Sequence, residues 1–340
     1  MACRWNSFHN VITNATILVN PYTADLETSP MATTAKAVLS RLRLKQLGLV
    51  IALDQHRSLR KAAGDLSMTQ SAASKALMEI ESIMGGPLFE RSRVGIVPNE
   101  LGRCVIRYAW LLRADVDAMV QEVSNIRLGR GGRLSVGAIM GAVPKVLTDA
   151  IQRLRAEEQD IFIEIVEDTS ARLLHMLDQG QLEVVIGRVV VSPRPDLYRY
   201  EVLRDEPLSV VAGPAHPLSR ARKVRLQDLE PYNWIVYPSR MPLRALLERE
   251  MSDAGIAMPS NLIETASTFA TVVMLQKSPD LVALLPKDVC EFFSTQKLLK
   301  TLPIALKSRT QPFGIVTRSS GTLSAVGQRF VDVLRVTQQD

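Results

Sequence analysis

Gln70, Ser71, Ser74 and Lys75 stand at positions i, i+1, i+4 and i+5, which a helix places on one face beside its N-terminus. These side-chain types suit hydrogen bonding to the edges of nucleic-acid bases. A glutamine can pair at two points with adenine, a lysine can donate to guanine, and a serine can bond to a base or a phosphate. Arg60, Arg91 and Arg93 lie nearby in the sequence and are the candidates for phosphate contact. The same residues would also suit the solvated face of an ordinary helix pair, so the weight falls on the elements that position them.

Residues 58–83, SLRKAAGDLSMTQSAASKALMEIESI, predict two short helices held at a tight turn. Ser58 and Thr69 are the candidate N-caps. Leu59, Ala62, Ala63 and Leu66, then Ala73, Leu77, Ile80 and Met84, recur at helical spacing, and the alanines let the helices cross closely. That is the sequence shape of a helix-turn-helix, whose second helix offers its N-terminal residues to the major groove. Residues 42–56 predict an amphipathic helix supporting the pair from behind. Residues 85–102 predict a small wing, with strands at 88–89 and 96–97 around the basic turn 91–95.

Residues 99–128 predict a long helix in which Leu101, Val105, Tyr108, Leu112, Val116, Met119, Val123 and Ile126 follow a spacing close to a heptad. Such a stripe suits pairing with the same helix of a second subunit, and the glycine cluster at 129–132 would end it as a hinge. Residues 1–40 lack convincing periodicity and read as a poorly ordered extension, with Met31 as an alternative start. The net charge is +6. Segment 31–130 holds 15 basic and 9 acidic residues, a net of +6; segment 1–30 is −1, and 131–340, with 25 against 24, is +1. The excess positive charge is thus confined to the part that holds the helix pair, as a phosphate-contacting module requires.

From residue 131 onward, strand candidates at 134–137, 161–166, 184–186, 208–212, 234–237, 262–264, 281–285 and 313–317 are interspersed with helical patterns at 143–157, 171–179, 243–254, 269–276 and 322–336. The alternation predicts α/β units with mainly parallel sheets in two subdomains, the chain crossing near 203–208 and returning near 307–314. Ligands in such folds bind at the C-terminal ends of parallel strands, near helix N-termini. Four places qualify: Thr169 in 168–170, Arg188 after the strand at 184–186, Ser239 and Arg240 in 237–240, and Ser267 with Thr268. Hydroxyls, helix N–H groups and an arginine suit an anion, so a small organic acid is the expected ligand. Thr169 and Ser267 would serve equally as helix caps, and either arginine as the partner of an acid.

Enzyme chemistry finds no support: there is no strand-linked GxGxxG, no GxxxxGK[ST] and no GxSxG. His9, His56, His175 and His216 lack metal-ligand spacing, so neither metal nor cofactor is expected. Cys3, Cys104 and Cys290 lie far apart, and Cys290 alone falls in the α/β half, whereas a disulfide switch needs a pair. Without a secretory signal pattern or a membrane-spanning apolar run, a cytoplasmic protein is expected. A redox-responsive regulator, an α/β enzyme and an exported solute-binding protein remain the alternatives.

With helix pair, wing, long helix and α/β half in this order, the chain resembles the LysR-type transcriptional regulators from Leu42 to the C-terminus. The segment SLRKAAGDLSMTQSAASKALMEIE with PLFER carries the resemblance most specifically; LEVVIGR, HPL and LVALLP are weaker echoes. The resemblance implies an N-terminal all-α winged helix-turn-helix with a long linker helix, and a C-terminal two-subdomain domain like periplasmic binding proteins. It implies a homodimer or homotetramer that binds double-stranded promoter DNA and senses a small molecule between the subdomains, with RNA polymerase as a further partner and no membrane. On this organisation 1–40 is an extension, 41–98 the DNA-binding domain and 99–130 the linker helix and hinge. The effector-binding domain is 131–340, divided into subdomain I (131–206 and 308–340) and subdomain II (207–307). Three positions depart from the family pattern. Ser71 replaces a usual proline, which affects base preference; Asn99 replaces a threonine and can cap equally well; and 138–142 lacks a hydroxyl often found there.

Overall fold

A computed structural model describes residues 34–127, 131–158, 160–239 and 241–337. At its N-terminal end α1 (Ala35–Arg41) is helical, correcting the expectation that order begins only after residue 40; the residues before 34 lie outside the described part. There follow α2 (Leu44–His56), α3 (Leu59–Asp65), α4 (Gln70–Met84), the hairpin β1 (Phe89–Ser92) and β2 (Gly95–Pro98), and α5 (Glu100–Arg127). Ser58 Oγ accepts from Lys61 N at 3.5 Å, and Thr69 Oγ1 from Ala72 N at 3.2 Å, so both expected caps set the helix starts.

The small residues permit the crossing: Ala62, Ala63 and Ala73 are buried together with Leu49 and Leu53 of α2. Ile80, Leu88, Val105, Ile106 and Ala109 form a second cluster with Val50 and Ile51, locking the recognition helix, the wing and the linker helix to one support. The wing is pinned at both ends. Gly95 has φ +109°, and a Cβ there would come within 2.5 Å of Arg57 O, the carbonyl that accepts from Ile96 N at 2.9 Å. At the other end Asn99 Nδ2 donates to Pro87 O at 2.8 Å while Asn99 Oδ1 accepts from Gly102 N at 2.8 Å, capping α5 as the sequence predicts.

The α/β half contains β3 (Arg133–Ala138), α6 (Thr148–Glu157), β4 (Phe162–Glu167), α7 (Ser170–Asp178), β5 (Val184–Gly187), β6 (Tyr198–Arg204) and β7 (Leu208–Ala212). It continues through β8 (Asn233–Val236), α8 (Pro242–Asp253), β9 (Leu262–Glu264), α9 (Thr268–Lys277), β10 (Leu281–Pro286), α10 (Lys287–Thr295), β11 (Lys300–Thr301), β12 (Phe313–Arg318) and α11 (Ala325–Val336). Two five-stranded sheets result, ordered β4-β3-β5-β12-β6 and β11-β7-β10-β8-β9. They are mixed rather than mainly parallel: β12 runs antiparallel to β5 and β6, and β7 antiparallel to β10 and β11. The strands next to the two crossings turn back on their neighbours, which reverses their direction.

Each sheet has its own core. In the first, Leu134, Val136 and Ala138 of β3 are buried with Val184, Ile186 and Phe330. In the second, β10 is buried on both faces: Val282 and Leu284 point to one cluster with Trp234, and Leu281, Ala283 and Leu285 to another with Val272 and Val289. Burying one such aliphatic side chain stabilises by about 1.5–3 kcal/mol. No helix among the described residues is long and apolar enough to cross a membrane.

Candidate nucleic-acid interface and sensing cleft

Gln70 begins α4, so the expected base readers occupy its first two turns. Gln70, Ser71 and Lys75 are exposed and Ser74 is half-buried, on the face opposite Ala73 and Ile80. Ser71 Oγ lies 3.1 Å from the capping Thr69 Oγ1, so it is oriented by the helix start. Arg60 on α3 and Arg91 and Arg93 on the wing are exposed, and no carboxylate among the described residues pairs with them or with Lys75. Cations without internal partners beside a helix N-terminus form a positive surface with donors free for a polyanion. Glu81 Oε1 accepts from Leu88 N at 2.9 Å, which ties the end of α4 to the wing.

In the α/β half, Met140 beyond the C-terminal end of β3 reaches Tyr237 beyond β8 and Thr268 beyond β9. Thr169 and Ser267 cap α7 and α9, accepting from Arg172 N at 3.4 Å and Ala270 N at 3.2 Å. Ser239 is exposed beyond β8, and Arg240 lies outside the described residues. Thr268 is half-buried and donates to Met140 Sδ of the other subdomain; Tyr237 Oη lies 3.8 Å from the same sulfur. Burial holds the Tyr237 hydroxyl far above the usual phenol range, and Glu206, Cys290 and Glu167 add to this.

Arg188 follows β5 as expected, yet its side chain is committed inside the protein. Its Nη2 lies 2.5 Å from Glu206 Oε2, its Nε donates to Gln311 O at 2.8 Å, and its own N–H donates to Ser170 Oγ at 3.1 Å. Glu206 sits between β6 and β7, and Gln311 between β11 and β12, so one guanidinium fastens both chain crossings. Thr310 Oγ1 donates to Glu206 O in the same knot. Burial lifts the Glu206 carboxyl above its ordinary range, against the pull of Arg188. Lys145 of the first subdomain meets Asp288 at 3.7 Å and Glu291 at 3.4 Å on α10 of the second, and Arg204 meets Asp288 at 3.3 Å.

Sequence reasoning missed Met140, Glu206 and Gln311. Met140 was visible only as an absent hydroxyl after the first strand, and Glu206 and Gln311 reach Arg188 across crossings that no local pattern reveals. Cys290 is 1% exposed, and burial pushes its thiol up to about 12, the opposite of what a redox-sensing thiolate needs.

A winged helix-turn-helix joined by one long helix to a two-subdomain α/β unit is the architecture of a single-chain transcriptional regulator. Residues 44–103 match the family described as bacterial regulatory helix-turn-helix protein, lysR family, and residues 127–338 match the LysR substrate binding domain. The chain belongs to the LysR family of transcriptional regulators, DNA-binding regulators rather than enzymes. It is 30% identical over 297 residues to the HTH-type transcriptional regulator GbpR of Azospirillum brasilense, covering 87% of this chain and 86% of that one. Among solved structures, full-length CbnR complexed with its target DNA shares the fold at TM-score 0.58 and 17% identity, covering 87% of this chain and 100% of that one. The effector binding domain of QuiR in complex with shikimate does so at TM-score 0.51 and 16% identity, covering 61% of this chain and 97% of that one.

Proposed function

We propose that this regulator binds promoter DNA as a homodimer or a dimer of dimers in the cytoplasm, and answers to a small organic acid held between its two α/β subdomains. Gln70, Ser71, Ser74 and Lys75 read base edges, and Arg60, Arg91 and Arg93 hold phosphates. The observation that carries the reading is the exposed cationic surface around the N-terminus of α4, without carboxylate partners among the described residues, on a head packed against α5. Leu101, Tyr108, Leu112, Met119 and Val123 of α5 are exposed in the single chain, an apolar stripe that a second α5 would cover. CbnR, which shares the fold, is seen on its target DNA.

The effector sits where the strand ends meet, held by the hydroxyls of Thr169, Ser239, Ser267 and Thr268 and by helix N-termini, with Arg240 as the cation. Arg188, bound to Glu206, acts from behind by positioning the crossings. Shikimate on the effector domain of QuiR is a hydroxylated acid of the class expected. Effector binding shifts the arrangement of the subdomains only to the extent that it favours one arrangement over the other, and the spacing of the paired heads follows. A thermal-shift screen of the full chain against small acids, sugars and aromatic compounds names the effector by its stabilisation. Promoter binding is then measured with and without it. A response that survives Ser239→Ala and Thr268→Ala together refutes the placement.

A further inference from the structure

Two hydroxyls of the second subdomain converge on one atom of the first. Tyr237 Oη lies 3.8 Å from Met140 Sδ, and Thr268 Oγ1 donates to the same sulfur. Tyr237 is only 6% exposed, and the thioether is the one acceptor its hydroxyl has among the described residues. A buried phenol normally finds a good acceptor, and thioether sulfur is a weak one. An oxygen atom at that position would serve both donors better.

The backbone delivers Met140 there by a tight route. β3 ends at Ala138, and Met140–Ala142 forms one turn of 3-10 helix against the second subdomain. A Cβ on Gly141 would overlap Glu206 Oε1 and lie 3.2 Å from Pro286 Cβ, so only glycine lets the turn approach so closely. The Met140 side chain packs into the apolar cluster of Val211, Leu243 and Leu285, which belongs to the second sheet. A methionine is unbranched and has three rotatable bonds, so it can leave such a position without moving its backbone.

We propose that Met140 is a displaceable occupant of the effector subsite. Its thioether takes the place between Tyr237 and Thr268, bridging the two subdomains. A carboxylate oxygen of the effector enters by expelling it. The proposal rests on the reading that the effector lies in this cleft. It makes Met140 a determinant of affinity: the effector must outcompete a tethered side chain, so a smaller residue at 140 strengthens binding.

The test is thermal unfolding of the full-length chain with sodium acetate, the probe standing for a bare carboxylate, against sodium chloride at equal ionic strength. Met140→Ala vacates the subsite, and acetate should raise its Tm by about 2–4 °C. Wild type and Met140→Leu, whose subsites stay filled, should move by less than about 1 °C, and Met140→Ala/Thr268→Ala should lose the shift. Equal shifts in all four chains, or none in Met140→Ala, overturn the proposal.

A second measurement needs no cavity. In methyl-labelled wild type the Met140 resonance, assigned from Met140→Leu, should be displaced by the Tyr237 ring and return to an averaged position in Tyr237→Leu. A Met140 methyl already averaged in the wild type overturns the docking. If acetate fails to distinguish the variants while Ser239→Ala/Thr268→Ala abolishes the effector response, the cleft reading stands and displacement falls. If that double variant still responds, the cleft reading falls with it.

Discussion

Substituting Arg93 by alanine separates phosphate contact from base reading. Arg60, Arg91 and Arg93 are exposed and carry no carboxylate partner among the described residues, giving three candidate phosphate contacts per head and six in a dimer. Each contact contributes about −0.9 to the slope of log K against log salt, so the wild type should have a slope of about −5.4. Arg93→Ala removes two contacts and should bring the slope to about −3.6. Between 50 and 200 mM salt the wild type would lose about 2,000-fold in affinity and the variant about 150-fold. Fluorescence anisotropy on a promoter duplex and a scrambled duplex across that range measures both slope and discrimination. Lys75→Ala should preserve the wild-type slope to within about one contact while lowering the ratio of promoter to scrambled affinity about tenfold. An unchanged slope in Arg93→Ala, or the same behaviour in both variants, refutes the division of roles.

Breaking the buried pair by Arg188→Met should destabilise the sensing half by about 3–5 kcal/mol, because Glu206 is left buried without its partner. Arg188→Met/Glu206→Leu should recover most of that loss in thermal unfolding; a double variant as unstable as the sum of the singles contradicts the pairing argument. Asn99→Ala removes both the α5 cap and the bond to Pro87 O, and should cost about 1 kcal/mol in head stability. Its promoter affinity should also fall, as the wing loses its anchor to α5. Arg335 holds the Glu201 carboxyl below its ordinary range, so this pair's stabilisation is present above pH 4.5 and lost as the pH falls through the lowered value. Arg335→Gln should therefore lower stability at neutral pH, by about 0.5 kcal/mol or less for so exposed a pair, and leave the Glu201 contribution unchanged once Glu201 is protonated.

The head was legible because its structure is local. Ser58, Thr69 and Asn99 cap within three residues of themselves, and the alanine spacing alone dictates the helix crossing. The sensing half was legible only where strands alternate with long helices. Strand β6 escaped because YRYEVLR mixes charged and apolar residues and its partner β12 lies more than a hundred residues away. Helix α10 escaped because it starts directly at Pro286 with no side-chain cap, in KDVCEFFST. The parallel expectation failed at β7 and β12 because strand direction depends on how the chain returns, which no local pattern encodes. Arg188 was placed correctly after β5, but its engagement by Glu206 and Gln311 depends on contacts 18 and 123 residues away.

The chain enters the second sheet at Leu208, leaves it at Thr301, and rejoins the first at Phe313. The second lobe therefore hangs from two neighbouring straps, both gripped by the Arg188 side chain. On the proposed effector response, a lobe suspended in this way would turn about the grip rather than slide past it. The coordinate of that response would be an angle, and residues far from the grip would travel the greatest arc. Small rearrangements beside Met140 and Thr268 would thus be magnified at the outer rim of the lobe, where a leverage of this kind can reach a neighbouring subunit.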